Sequence, residues 1–147
     1  MEVLMKIQIK RIDKTLPLPS YKTKGAAAFD LYARLDTDIK PGSLGHIPTN
    51  VIIKSPKDHV LIMAPRSSAP KRGLIYPHGI GIVDADYCGD KDELILQVFN
   101  ITKEPVKILR GERIGQAMFV RLSRASSWIE RQKMGSSRGG FGSTGTR

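Results

Sequence analysis

Short apolar runs separated by turn residues constrain this chain more than any other feature. "HVLIMA" (59–64) places Val60 and Ile62 on one face of an extended backbone and Leu61 and Met63 on the other. "ELILQVFN" (93–100) and "IGQAMFVRL" (114–122) are equally short and rich in apolar and β-branched residues. "KIQIKRI" (6–12) alternates, with Ile on one face and Lys or Gln on the other. Alternation of this kind has the two-residue period of a strand. Between the runs stand "LPLPS", "KPGS", "KSPKD", "YPHG" and "RGER", which are turn chemistry. No segment sustains a 3.6-residue apolar period. The pattern predicts an all-β fold, a sandwich or jelly roll. Several runs are apolar on both faces. A lone small sandwich wets one face of each sheet, so the second apolar face points to an oligomer.

The 147 residues suit one domain with one core. No apolar run approaches the roughly 20 residues of a membrane span, and "MEVLMKIQIKRIDK" does not read as a signal peptide. The single cysteine, Cys88, excludes an internal disulfide and a multi-Cys zinc site, and makes a reducing cytoplasm the expected compartment. The formal charge of +10 favours a polyanionic partner such as nucleic acid, a nucleotide or an acidic surface. Part of that excess is local, since Arg131, Lys133, Arg138 and Arg147 lie in an acid-free C-terminal stretch.

Five stretches are too polar or too glycine-rich for their positions. In "GAAAFDLYA" (25–33), Asp30 interrupts an apolar run, where an acid needs backbone donors or a nearby cation. In "APRSSAPKRG" (64–73), Pro65 ends a strand and Arg66, Ser67 and Ser68 follow at a turn, offering a guanidinium fork, hydroxyls and N–H groups that suit phosphate oxygens. In "YPHGIGIVDADYCGD" (76–90), Gly79 and Gly81 leave the backbone of a hairpin around residues 78–83 open to close approach, and Asp84 falls at a strand end, followed by Tyr87. His78 has no second His or Cys at a metal-ligand spacing and reads as a loop residue. In "RGERIGQAMF" (110–119), a tight Gly turn precedes Arg113 and Gln116; Arg113 suits a structural ion pair as well as a ligand. The fifth stretch, "GSSRGGFGSTGTR" (135–147), has almost nothing to bury and sets Phe141 among glycines. "SRASSWIERQKM" (123–134) links it to the body, and Trp128 is expected to pack on the body surface at the point of departure.

In order and spacing, "GAAAFDLYA", "APRSS", "GIGIVDADYCGD", "RGERIGQ" and "GGFGSTG" resemble the five ordered motifs of the trimeric deoxyuridine triphosphate nucleotidohydrolases, the dUTPases. The resemblance runs from about residue 24 to 145. It implies a jelly-roll subunit over residues 1–134, a flexible lid over 135–147, and a homotrimer with active sites shared between subunits. It implies hydrolysis of dUTP to dUMP and pyrophosphate with Mg²⁺ on the triphosphate, which limits uracil in DNA and supplies dUMP. By that resemblance Asp84 activates the attacking water and Asp30 reaches water on the metal. Arg66, Ser67, Ser68 and Gln116 contact phosphates, Tyr87 packs on the deoxyribose, and His78, Gly79, Gly81, Ile82 and Val83 line the segment that reads the uracil edge. Phe141 covers the base when the tail closes, and Arg138, Gly142, Ser143 and Thr144 close on the phosphates. No membrane and no stable nucleic-acid partner are expected.

Three departures stand out. Ser68 occupies a position that is often Gly in the family, the usual tail arginine position is Ser136 with Arg138 two residues later, and "YCGDKDEL" is longer than usual, with Cys88 where Arg is common. Two rival readings remain. A dCTP deaminase of the same fold would need an acid beside the base, which the sequence does not place. A non-catalytic basic jelly roll that binds nucleic acid or builds a shell would suit the charge but has no need of Asp84 near a phosphate-type turn.

Overall fold

A computed structural model describes residues 4–142 and residue 145. Ser143 and Thr144, expected at the phosphates, lie outside the described residues. The regular structure is eleven strands and one turn of 3-10 helix, Pro70–Arg72. The strands are β1 (Gln8–Arg11), β2 (Phe29–Tyr32), β3 (Thr37–Ile39), β4 (Leu44–Pro48), β5 (Val51–Lys54), β6 (His59–Pro65), β7 (Leu74–Ile75), β8 (Gly81–Val83), β9 (Ile95–Asn100), β10 (Val106–Ile108) and β11 (Arg113–Arg121). The all-β expectation holds. No helix among the described residues is long and apolar enough to cross a membrane.

The strands form four antiparallel sheets, ordered β2-β11-β6-β8, β4-β9-β7, β10-β3 and β1-β5. Their inward side chains meet in one core, where Leu31, Leu61, Leu96 and Ile108 are wholly buried. Alternation works as the sequence predicts. In β6, Leu61 and Met63 are buried while Val60 and Ile62 are only half-buried; in β9, Leu96, Val98 and Asn100 are buried. The "KPGS" and "RGER" turns join β3 to β4 and β10 to β11, with Gly42 at φ 62° and Gly111 at φ 86°.

The outward face of the four-stranded sheet is also apolar. Met118, Ile62 and Ile82 stand in register across β11, β6 and β8, and Ile82 is 68% exposed. A second apolar surface is a groove of about 730 Å³ beside β1, lined by Ile7, Ile9, Leu18, Tyr21, Phe29 and Phe119 among others.

Two expectations need correction. The segment around residues 78–83 is not a hairpin. β7 pairs with β9 and β8 pairs with β6, so the intervening turn carries the chain from one sheet to another. Trp128 does not pack on the body of its own chain: it is 90% exposed, with Ile129 and Met134 similarly bare. The physical reason lies just upstream. β11 ends at Arg121, Leu122 N donates to Asp58 O at 3.0 Å, and no strand or helix follows among the described residues. A segment without backbone partners has nothing to press its side chains onto the sheet.

Candidate active site

The residues singled out in the sequence fall into two clusters. The first surrounds the end of β8, where a cleft of about 270 Å³ is lined by His78, Gly81, Ile82, Val83, Asp84 and Tyr87 together with Tyr76, Ile95 and Gln97. Before β8, Gly79 N donates to Tyr76 O at 3.2 Å and Gly79 takes φ 85°. After β8, Tyr87 N donates to Asp84 O at 3.1 Å, which turns the chain and leaves the Asp84 carboxylate exposed at the rim. The Tyr87 hydroxyl donates to Glu93 O at 3.0 Å. His78 Nδ1 lies 2.8 Å from Ile80 O, so the ring donates from Nδ1. Asp84 is the one carboxylate among the described residues lining this cleft.

Sequence reasoning missed Tyr76 and Gln97 here. Tyr76 sits 5.5 Å from the His78 ring, and its hydroxyl is buried without a partner. Desolvation pushes that phenol well above its ordinary range, so it is neutral. The polar Gln97 at an outward position of an otherwise apolar strand was the legible signal; Tyr76 left none beyond its place next to a Pro.

The second cluster lies where β2, β11 and β6 meet. Asp30 pairs in register with Gln116 and is almost buried. It lies near a cation, one of the two solutions an acid in an apolar run allows: Oδ1 is 3.3 Å from Arg66 Nε, and Oδ2 is 3.2 Å from Arg113 Nη1. Arg113 thus does form the ion pair. Arg66 also donates to Arg113 O at 3.3 Å, and Gln116 Nε2 donates to Pro65 O at 3.0 Å. A register shift between Arg113 and Gly115 marks a bulge in β11, a device common beside functional sites. Gly115 is needed there, because a Cβ would come within 2.7 Å of Leu96 Cδ1. Ser67 and Ser68 take the central positions of a turn closed by Ala69 N to Arg66 O at 3.0 Å, and both are exposed. The turn therefore presents hydroxyls beside a guanidinium, a phosphate-type arrangement.

Within one chain Asp84 and Arg66 stand far apart along β6. Val83 faces Leu61 and Gly115 faces Pro65. Asp84 therefore follows β8 toward the start of β6, while Arg66 leaves its far end. Six residues of β6 separate the two levels, about 20 Å at roughly 3.3 Å per residue. The described part of the tail lines neither cluster. Arg138 is exposed and Phe141 wholly so, with Phe141 at φ 52° and Gly142 at φ 85°. Among the described residues no group of three His, Cys, Asp or Glu side chains is placed to hold a metal ion.

A family model described as dUTPase matches residues 14–145. A deoxyuridine 5'-triphosphate nucleotidohydrolase of Dictyoglomus turgidum is 37% identical over 97% of this chain and 99% of its own length. The protein of the same name from Desulfitobacterium hafniense is 38% identical over 97% of both chains. Among solved structures, the dUTPase from Streptococcus mutans superposes with a TM-score of 0.75 at 28% identity, covering 81% of this chain and 98% of that one.

Proposed function

The chain belongs to the dUTPase family and is a dUTP diphosphatase, and we propose that it converts dUTP to dUMP and pyrophosphate at sites assembled between the jelly-roll subunits of a homotrimer. The observation that carries the shared site is the separation of Asp84 from the Arg66 turn. A water activated at the α-phosphate and the residues that hold the phosphates must lie within a few ångströms of one substrate. Asp84 and Arg66, about 20 Å apart along one strand, meet that need when they come from different copies. The apolar outer row of Met118, Ile62 and Ile82, the groove beside β1 and the bare Trp128 arm supply surfaces for such an assembly.

In this reading Asp84 accepts the proton of the attacking water and aligns it in line with the leaving pyrophosphate. Tyr87 forms the sugar wall and leaves no room for a 2′-hydroxyl. The backbone of Gly79–Val83 and His78 faces the base, and donors matched to uracil reject cytosine, whose donor and acceptor are exchanged. Arg66, Ser67, Ser68 and Gln116 hold the phosphates, and Arg138, Phe141, Gly142, Ser143 and Thr144 close over them as a lid. Stacking of Phe141 on the base contributes about 1–3 kcal/mol.

The donor set also fits Mg²⁺ carried by the substrate. Each Asp30 oxygen has one arginine contact and a further lone pair, so it can accept from a metal-bound water without releasing Arg66 or Arg113. The metal's inner ligands would be phosphate oxygens and water, as Mg²⁺ prefers, and its charge would offset that of the triphosphate. Cytoplasmic residence is the compartment this reading implies.

A deaminase would need an acid beside the base, and among the described residues the cleft offers no carboxylate besides Asp84, which this reading assigns to the attacking water. The test is pyrophosphate release with Mg²⁺ from dUTP beside dCTP, dTTP and UTP, with ammonia assayed from dCTP. Release from dUTP alone is the expected result. Ammonia from dCTP, or no turnover of any nucleotide, would replace this reading with one of its two rivals.

A further inference from the structure

The residues that make this chain longer than usual after Tyr87 fold into a closed loop. Gly89 N donates to Asp92 Oδ2 at 2.8 Å, and Asp92 N returns to Gly89 O at 3.0 Å. The loop delivers Glu93, whose main-chain carbonyl accepts the Tyr87 hydroxyl at 3.0 Å. Glu93 is itself held from several sides. The residue is 8% exposed, and its carboxylate takes a two-pronged contact from Arg34, Nε to Oε2 at 2.8 Å and Nη2 to Oε1 at 2.9 Å. Asn50 N adds a third donor to Oε2 at 2.8 Å. The next residue, Leu94, bonds through its N–H to Val51 O at 2.9 Å and accepts the Thr49 hydroxyl at 2.7 Å. The Tyr87 ring is thus fixed at its base by the Asp84 turn and at its tip by an acceptor that cannot shift without breaking a buried ion pair.

We propose that the 88–93 loop and the Arg34–Glu93 pair form a brace that holds the Tyr87 ring rigid against the cleft and so sets how strongly ribonucleotides are rejected. The inference rests on the dUTPase reading and adds positioning residues to it. A steric wall discriminates only as far as it refuses to move. A tyrosine anchored at its backbone alone yields by rotating χ1 or χ2 when a 2′-hydroxyl presses on it. A braced ring must first give up a hydrogen bond whose acceptor has no freedom to follow. Neither Arg34 nor Glu93 touches the cleft through its side chain in this account; both act through Tyr87.

Tyr87→Phe separates the brace from the wall, because it keeps the ring and removes the hydroxyl. The expected result is a rise of about 3- to 10-fold in kcat/KM for UTP relative to dUTP, the scale of one neutral hydrogen bond. Glu93→Gln, which weakens the Arg34 contact two steps from the substrate, should move the same ratio in the same direction by a smaller factor. It should act through KM for UTP rather than kcat for dUTP. A merely structural role would lower both substrates together and leave the ratio constant. An unchanged dUTP-to-UTP ratio of kcat/KM in both Tyr87→Phe and Glu93→Gln overturns the brace. Wild-type protein that releases no pyrophosphate from dUTP overturns the activity itself, and that control is read before either variant.

Discussion

Two aromatic side chains are assigned to the same nucleotide, and they could hardly be held more differently. Tyr87 is fixed by a turn at its backbone and a hydrogen bond at its tip, and its acceptor Glu93 is locked in a buried ion pair. Phe141 is wholly exposed, sits at positive φ and lies in a glycine-rich segment with no strand to hold it. The difference teaches how such an enzyme divides its work. Discrimination by shape needs a surface that exists before the ligand arrives. Exclusion of water needs one that forms only afterwards, or substrate could neither enter nor leave. In the proposed site the nucleoside wall is preorganised, and the cover is ordered at the expense of binding energy.

Three substitutions and one truncation probe that division. Asp84→Asn stands on the preformed side. It should keep nucleotide affinity and lose turnover by about 10²–10⁴-fold, the usual scale for a positioned base; steady-state kinetics beside an equilibrium binding titration read both. Removal of residues 135–147 should cost on the order of 10²–10³-fold in kcat, as loss of preorganised phosphate donors does, while the melting temperature stays put. A large drop in melting temperature would mean the tail belongs to the folded body after all. Phe141→Ala should recover part of that loss, about 5- to 150-fold in kcat/KM from stacking alone. If Arg138→Ala matches the full truncation while Phe141→Ala is silent, the lid acts by charge rather than by covering the base.

The smallest effect is expected at Asp13. Hydrogen bonds from the Thr15 hydroxyl, then from Arg110 and the Thr15 N–H, hold the Asp13 carboxyl well below the usual carboxylate range. A depressed folded pKa gives stability that is fully present above the unfolded value, about 3.9, and that fades as pH falls toward the folded value. Asp13→Asn should therefore melt slightly lower than wild type at pH 7, and the gap should narrow on acidification below about pH 4. A gap that does not depend on pH would assign the loss to packing.

Much of this was legible in the sequence, for identifiable reasons. The run at 59–64 became β6 at His59–Pro65, because period-two alternation and a terminal Pro are local signals. Asp30 announced its need for a cation by its apolar surroundings, and Arg66 and Arg113 met it. The run at 93–100 starts later than expected, at Ile95, because Glu93 and Leu94 are committed to the 49–51 corner. That commitment was invisible. Arg34 and Glu93 are 59 residues apart and no periodicity links them. The 78–83 segment misled for a related reason: its glycines mark a turn equally well whether the flanking strands pair with each other or with different sheets. Trp128 misled because a large aromatic predicts burial but does not say in whose surface.

The central claim is that the site belongs to more than one chain, and complementation between inactive variants tests it most directly. Asp84→Asn and Arg66→Ala are prepared separately, shown to be inactive and trimeric, then unfolded and refolded together. If Asp84 and Arg66 reach each site from different copies, roughly a quarter of sites in randomly mixed trimers regain both groups, and dUTP hydrolysis returns to about that share of wild type. Mixed trimers that form and remain as inactive as their parents would place both residues of each site in one chain and contradict the account.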